Sequence, residues 1–167
     1  PCGTGKTIKD THFAFLGLEN VNGNPLTILH LQELHPQGSQ PKFASYAPNS
    51  WYFNQVWANN ETAKFRWYLM SLEIVPNSEG KNYQEQAAML SQGYEVPTAV
   101  EEVLKDIIYY RKNGIYLNPK RYARTTDVTS DGHRVDAGPF FGDGLHVNYD
   151  WDDDRWHYVG LAASRKS

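Results

Sequence analysis

From Thr98 to Gly114 the chain spells out a helix with both ends marked. Thr98 is a cap residue, and Glu101, three positions on, is the reciprocal partner of a capping box. Val100, Val103, Leu104, Ile107 and Ile108 fall at i, i+3, i+4, i+7 and i+8, one apolar stripe of an amphipathic helix. Gly114 supplies the C-terminal stop. After Pro119 the apolar residues alternate instead. Gly142-Asp143-Gly144 reads as a hairpin turn, since tight hairpins need residues that accept positive φ. It joins a strand near 133–141 to one near 145–151. A core-facing helix followed by hairpins places the chain in the α+β class.

The rest of the chain divides around that helix. Residues 12–18 read as a strand and 20–24 as a turn-rich loop. Asn24-Pro25 offers a cap and a first helical position for a helix over 26–34, which Pro36 ends. Residues 37–49 are a loop, and 50–57 are aromatic and fit either strand or helix. Residues 64–75 read as a strand entering the core, stopped at Pro76-Asn77-Ser78. Asn82 and Glu85 form another capping box for a short helix, with Tyr83, Ala87, Met89 and Leu90 on its apolar side and Gly93 as its stop. In the second hairpin strand Leu145, Val147 and Trp151 are expected to point inward, and His146, Asn148 and Asp150 outward. Residues 152–154 form a turn. Residues 158–164 make a final strand whose small residues suit the centre of a sheet. Residues 1–63 are expected to be an N-terminal elaboration, and 64–167 the main domain.

Several function classes are excluded by composition. The net charge of the 167 residues is −3, so there is no basic field to hold nucleic acid. The single cysteine, Cys2, excludes an internal disulfide and a multi-cysteine zinc site. No run of about 18 apolar residues encodes a membrane span, and the first residues lack a basic-then-apolar leader pattern. Cell surface, virion and cytoplasm all remain open as locations. Gly5-Lys6-Thr7 invites a phosphate-binding loop, but the first Gly of that motif would fall before Pro1. The following residues also read as a strand rather than the required helix. A polar tail with a chance match is expected.

Between Arg121 and Arg165 there is no Lys, Glu, Gln, Met or Ile, although the preceding residues use all five. Asp, His, Tyr, Phe, Trp, Asn and Gly stand in their place. Upstream lies Gly93-Tyr94-Glu95-Val96-Pro97-Thr98, then Glu101-Glu102-Val103. Downstream are Tyr122-Ala123-Arg124-Thr125-Thr126 and the closing Val159-Gly160-Leu161-Ala162-Ala163-Ser164-Arg165. With a strand and a short helix ahead and hairpins behind, this order resembles the C-type-lectin fold in its formylglycine-generating-enzyme-like branch. More narrowly, it resembles the variable proteins of diversity-generating retroelements. The resemblance covers roughly residues 64–165.

The resemblance implies two helices packed on small antiparallel sheets and hairpins. It also implies a terminal stretch rewritten by mutagenic reverse transcription at template adenines. Rewriting an AAY codon yields Asn, Asp, Tyr, His, Phe, Ser, Gly, Arg or Val, but never Lys, Glu, Gln or Met. Trp is also out of reach, so Trp151 is expected to be fixed core and Trp156 to come from another template codon. The alternative is a chance run of Asp and aromatic residues.

Binding is the function this composition favours. Aromatic side chains give contact area at low entropic cost, and Asp, Asn, Ser and Gly give adaptable hydrogen bonds. The expected ligand-binding face comprises Arg134, Asp136, Phe140, Phe141, Asp143, His146, Asn148, Tyr149, Asp150, Asp154, Trp156, His157 and Tyr158. One of Phe140 and Phe141 must face inward in a regular strand. The negative patch would favour a basic surface on a protein or cell-surface ligand. Oligomerisation is open, with residues 1–63 a candidate docking element. The chain is expected to be no enzyme and to need no cofactor. Catalytic relatives of this fold use a cysteine pair for copper, and this chain has only Cys2. His133, His146 and His157 could hold a metal, but hydrogen bonding is the expected role. Trp151-Asp152-Asp153 resembles the calcium-site element of sugar-binding lectins, yet the partner Glu-Pro-Asn or Gln-Pro-Asp motif is missing.

Overall fold

The computed structural model describes residues 5–166. Cys2 and the start of the phosphate-loop look-alike lie outside them. Thr7, the last residue of that look-alike, is used locally. Its backbone N–H and hydroxyl both donate to Asp10, which anchors α1 (Ile8–Thr11).

The chain then enters β1 (His12–Leu16), as expected. β2 (Asn20–Val21) and β3 (Asn24–Pro25) make a small hairpin. Asn24-Pro25 is therefore strand, not a helix start, because Asn22 and Gly23 both adopt positive φ and turn the chain just before it. The cap of α2 (Ile28–Leu34) is Thr27, whose hydroxyl accepts from the His30 N–H at 3.2 Å. The ambiguous aromatic stretch is helical, a 3-10 turn (Trp51–Asn54) followed by α3 (Val56–Asn60).

β4 (Trp67–Ser71) buries Tyr68 and Met70 at alternate positions. α4 (Tyr83–Ala88) carries the Asn82–Glu85 capping box. Its buried residue is Gln86 rather than the expected apolar side, since the Gln86 amide donates to Ser78 O at 2.9 Å and Val159 O at 3.1 Å. β5 (Tyr94–Glu95) precedes α5 (Ala99–Asn113). Thr98 and Glu101 cap α5 reciprocally, and Gly114 ends it at φ 68°. Val100, Val103, Leu104 and Ile107 are buried.

The last third is β6 (Tyr122–Val128), β7 (Arg134–Phe141), β8 (Gly144–Asp150), β9 (Val159–Leu161) and β10 (Ser164–Arg165). One sheet has the order β8-β7-β6-β9, and another β1-β4-β10-β5. The expected single strand over 158–164 is thus two. β9 lies at an edge, parallel to β6, whereas β10 sits inside the other sheet. Ala162 and Ala163 are small and buried where the chain crosses between sheets. There Ala162 N–H bonds Arg124 O, and Ser71 N–H bonds Ala163 O.

The architecture is mixed α+β with small, mainly antiparallel sheets. One core cluster runs from Phe13 and Phe15 through Tyr52, Tyr68 and Val103 to Phe140 and Val147. Residues on both sides of position 63 share it. β1 pairs with β4, and Phe43 bridges to Leu145. Among the described residues no helix is long and apolar enough to cross a membrane.

Candidate ligand-binding face

The β7–β8 hairpin sorts its side chains by alternation. Val135, Ala137, Leu145 and Val147 enter the core. Arg134 stands opposite Asp150, and Asp136 opposite Asn148, on the other side of the sheet. β6 adds Tyr122 and Arg124 to that side, since Arg124 pairs with Asp136. His146, Asn148 and Asp150 are part-exposed there, as the alternation predicts.

Two expected face residues are buried. Phe140 is 0% exposed, opposite Leu145, with its ring 4.8 Å from Tyr116 and 5.7 Å from Tyr110. The cause is a register shift between Ala137 and Phe140. Pro139 has no N–H for the ladder, and the irregularity sends Phe140 inward and leaves Phe141 exposed. Asp136 is also 0% exposed. It lies on the expected side of the sheet but under the 151–158 segment.

Two more corrections concern rings. Trp151, expected in the core, is 54% exposed and rests on the His133 ring at 3.7 Å. Tyr149 is exposed but has core-side parity, opposite Val135. Its ring packs on Trp51 at 4.5 Å, so it does not join the His146 side.

The 151–158 segment is held by arginines. Arg124, 0% exposed, donates to Lys81 O, Gln86 Oε1, Trp151 O and Asp154 O at 3.0–3.3 Å. Arg134 makes a bidentate pair with Asp152, two bonds of 2.9 Å, and its guanidinium lies 3.9 Å from the Tyr83 ring centre. Arg134 is therefore a clip rather than a free contact. Asp154 accepts from the Trp151 N–H at 3.0 Å. Arg155 pairs with Glu85 of α4 rather than with a neighbouring aspartate.

Within this frame lies a carboxyl pair. Neither oxygen of Asp136 receives an N–H or O–H bond from an ionised-state partner among the described residues. Burial, then the negative charge of Asp150, raises the Asp136 carboxyl well above the usual range. Asp136 thus keeps its proton and bonds to Asp150. Burial raises Asp150 as well, while Asp136, Arg124 and the Trp156 indole oppose the rise. Titration belongs to the pair.

Aromatic rings border the pair. Trp156 and Tyr158 stack at 5.8 Å with 15° between planes, and Tyr122 lies 6.0 Å from Tyr158. Trp156 and His157 are exposed and Tyr158 part-exposed. At the hairpin tip Phe141 stacks on His146 at 5.5 Å, and His146 Nε2 lies 3.2 Å from Asp143. The sheet therefore gathers Phe141, Asp143, His146, Asn148, Asp150, Trp156 and Tyr158 around Asp136. Tyr122 and Arg124 complete the group and escaped sequence reasoning. Alternation along β6 carries their signal, but only the strand register puts them beside Asp136.

Asp152 of the calcium-site look-alike is committed to Arg134. Among the described residues no group of three or more His, Cys, Asp or Glu side chains is placed to hold a metal ion. A separate cleft of about 510 Å³ lies between α3 and the β6–β7 turn, lined by residues such as Trp57, Glu61 and Asp127. None of the expected face residues lines it. Comparison with known protein families, curated proteins and solved structures finds no match for this chain.

Proposed function

We propose that this protein is a non-catalytic recognition protein. It binds a protein ligand through the polar face of the β6–β9 sheet, on a C-type-lectin scaffold diversified by a retroelement. The observation that carries the reading is the split within β8. Leu145 and Val147 are buried, whereas His146, Asn148 and Asp150 lie on the open side. The open positions hold residue types that adenine-directed rewriting reaches. Replacing them leaves the inward row untouched, which is what a changeable surface on a fixed core requires.

The order of elements supports the scaffold. β4 and β10 pair near the ends of the main part, with α4, α5 and the hairpin sheet between them. The mixture of rings and short polar groups suits recognition of a protein surface.

Sequencing the DNA around the gene tests the diversification. A near-copy of the segment encoding residues 121–165, beside a reverse transcriptase gene, should differ from it mainly at adenines. The mismatches should cluster at codons for open-side residues such as His146, Asn148 and Asp150. A neighbourhood without such a copy would remove the retroelement from the proposal.

A further inference from the structure

We infer that the face takes an arginine or lysine side chain of its protein ligand, seated against Asp150 and beside the rings of Trp156, Tyr158 and Tyr122. This rests on the recognition reading above and names the chemistry of the partner.

The carboxyl pair supplies the first reason. Asp136 is 0% exposed and neither of its oxygens receives a bond from an N–H or O–H donor among the described residues. It faces Asp150, which is only part-buried and so open to a visitor. Arg124 is close, but its Nη groups are spent on Lys81 O, Gln86 Oε1, Trp151 O and Asp154 O. The positive charge beneath the pair is therefore tied to the 151–158 segment, not paired with the carboxyls. Asp143 and Asp154 add further negative charge around the same patch.

The rings supply the second. Trp156 and Tyr158 stack with nearly parallel planes, and Trp156 is 43% exposed. An aromatic face attracts a cation, and indole does so best. A guanidinium placed there reaches a carboxylate with its N–H edge and a ring with its face. A neutral side chain gains only the apolar contact. Asn148, opposite Asp136, adds a short polar side chain on the same side of the sheet.

The test is an NMR titration of the whole chain with Nα-acetyl-arginine N-methylamide. The uncharged Nα-acetyl-norleucine N-methylamide is the control. The arginine probe should shift the Trp156 indole and Tyr158 ring signals and bind about tenfold more tightly than the control, as expected for a charge-assisted contact. Asp150→Asn should cut that preference to about twofold. Glu33→Gln, the same change in net charge on exposed α2, should leave it intact. Equal binding of the two probes to the wild-type chain, or binding that shifts neither Trp156 nor Tyr158, would overturn the inference. Failure of the arginine probe alongside an adenine-mutated template copy sinks the cation and spares the recognition reading. Arginine binding with no template copy does the reverse to the diversification.

Discussion

At Asp136 a carboxyl group is fully buried beside a second carboxyl, and this makes folding depend on pH in a defined direction. Burial and Asp150 raise its folded-state value above the ordinary one. The stabilising contribution of a raised carboxyl is complete below its unfolded value, about 3.9, and is lost as pH rises through the folded value. Asp136→Asn keeps the shape and an N–H donor toward Asp150 but cannot ionise. The variant should therefore gain on the wild type as pH rises, with urea midpoints compared at pH 5 and pH 8.5 as the measure. A difference between the two proteins that does not change with pH would contradict this picture of Asp136. Phe140 shows how single residues escape a sequence reading. One of two adjacent phenylalanines had to turn inward, and the irregularity around Pro139 decides which. Arg124 is the opposite case. Its alternation is plain along β6, but its four acceptors come from distant segments that only the fold assembles.

Among the elements, those with local signals were the legible ones. The Asn82–Glu85 and Thr98–Glu101 boxes lie within four consecutive residues each, and both helices begin where those residues dictate. The hairpin turn at residues 142–143 was equally visible. The β9–β10 division was not, because it depends on which sheet each half joins. α5 also holds something its apolar stripe does not reveal. Glu102, Lys105 and Asp106 are each about 1% exposed, with Lys105 Nζ 2.5 Å from Glu102 and 3.4 Å from Asp106. Lys105 also donates to Ser71 O at 3.1 Å, tying the helix to the end of β4. Burial pushes Asp106 up to about 7, with Lys105 opposing the rise. Lys105→Met removes the cation and leaves two acidic groups buried without it. The expected cost is about 3–5 kcal/mol, read from urea unfolding at pH 7. A loss below about 1 kcal/mol, the scale of a surface pair, would show that the triad is not held together by this charge.

Across the whole molecule, the N-terminal segment supports the face rather than hanging from it. Ala44 N–H bonds Leu145 O at 3.0 Å, and Leu145 N–H bonds Lys42 O at 2.8 Å. Gly144 sits at φ +133°, and an added Cβ would lie 2.4 Å from the Phe43 carbonyl carbon. Gly144→Ala should cost about 3 kcal/mol through strain and overlap. It should also speed amide exchange at Ala44 and Leu145 together. Faster exchange confined to the 142–144 turn would mean the N-terminal segment does not brace the hairpin. The main claim is that a changeable face stands on a fixed core. It is tested most directly by two display libraries of equal size, scored for folded protein by protease resistance. One randomises Phe141, Asp143, His146, Asn148 and Trp156, and the other Val135, Ala137, Phe140, Leu145 and Val147. The face library should keep most of its members folded while the core library loses most of its own. Equal losses in the two libraries would contradict the claim.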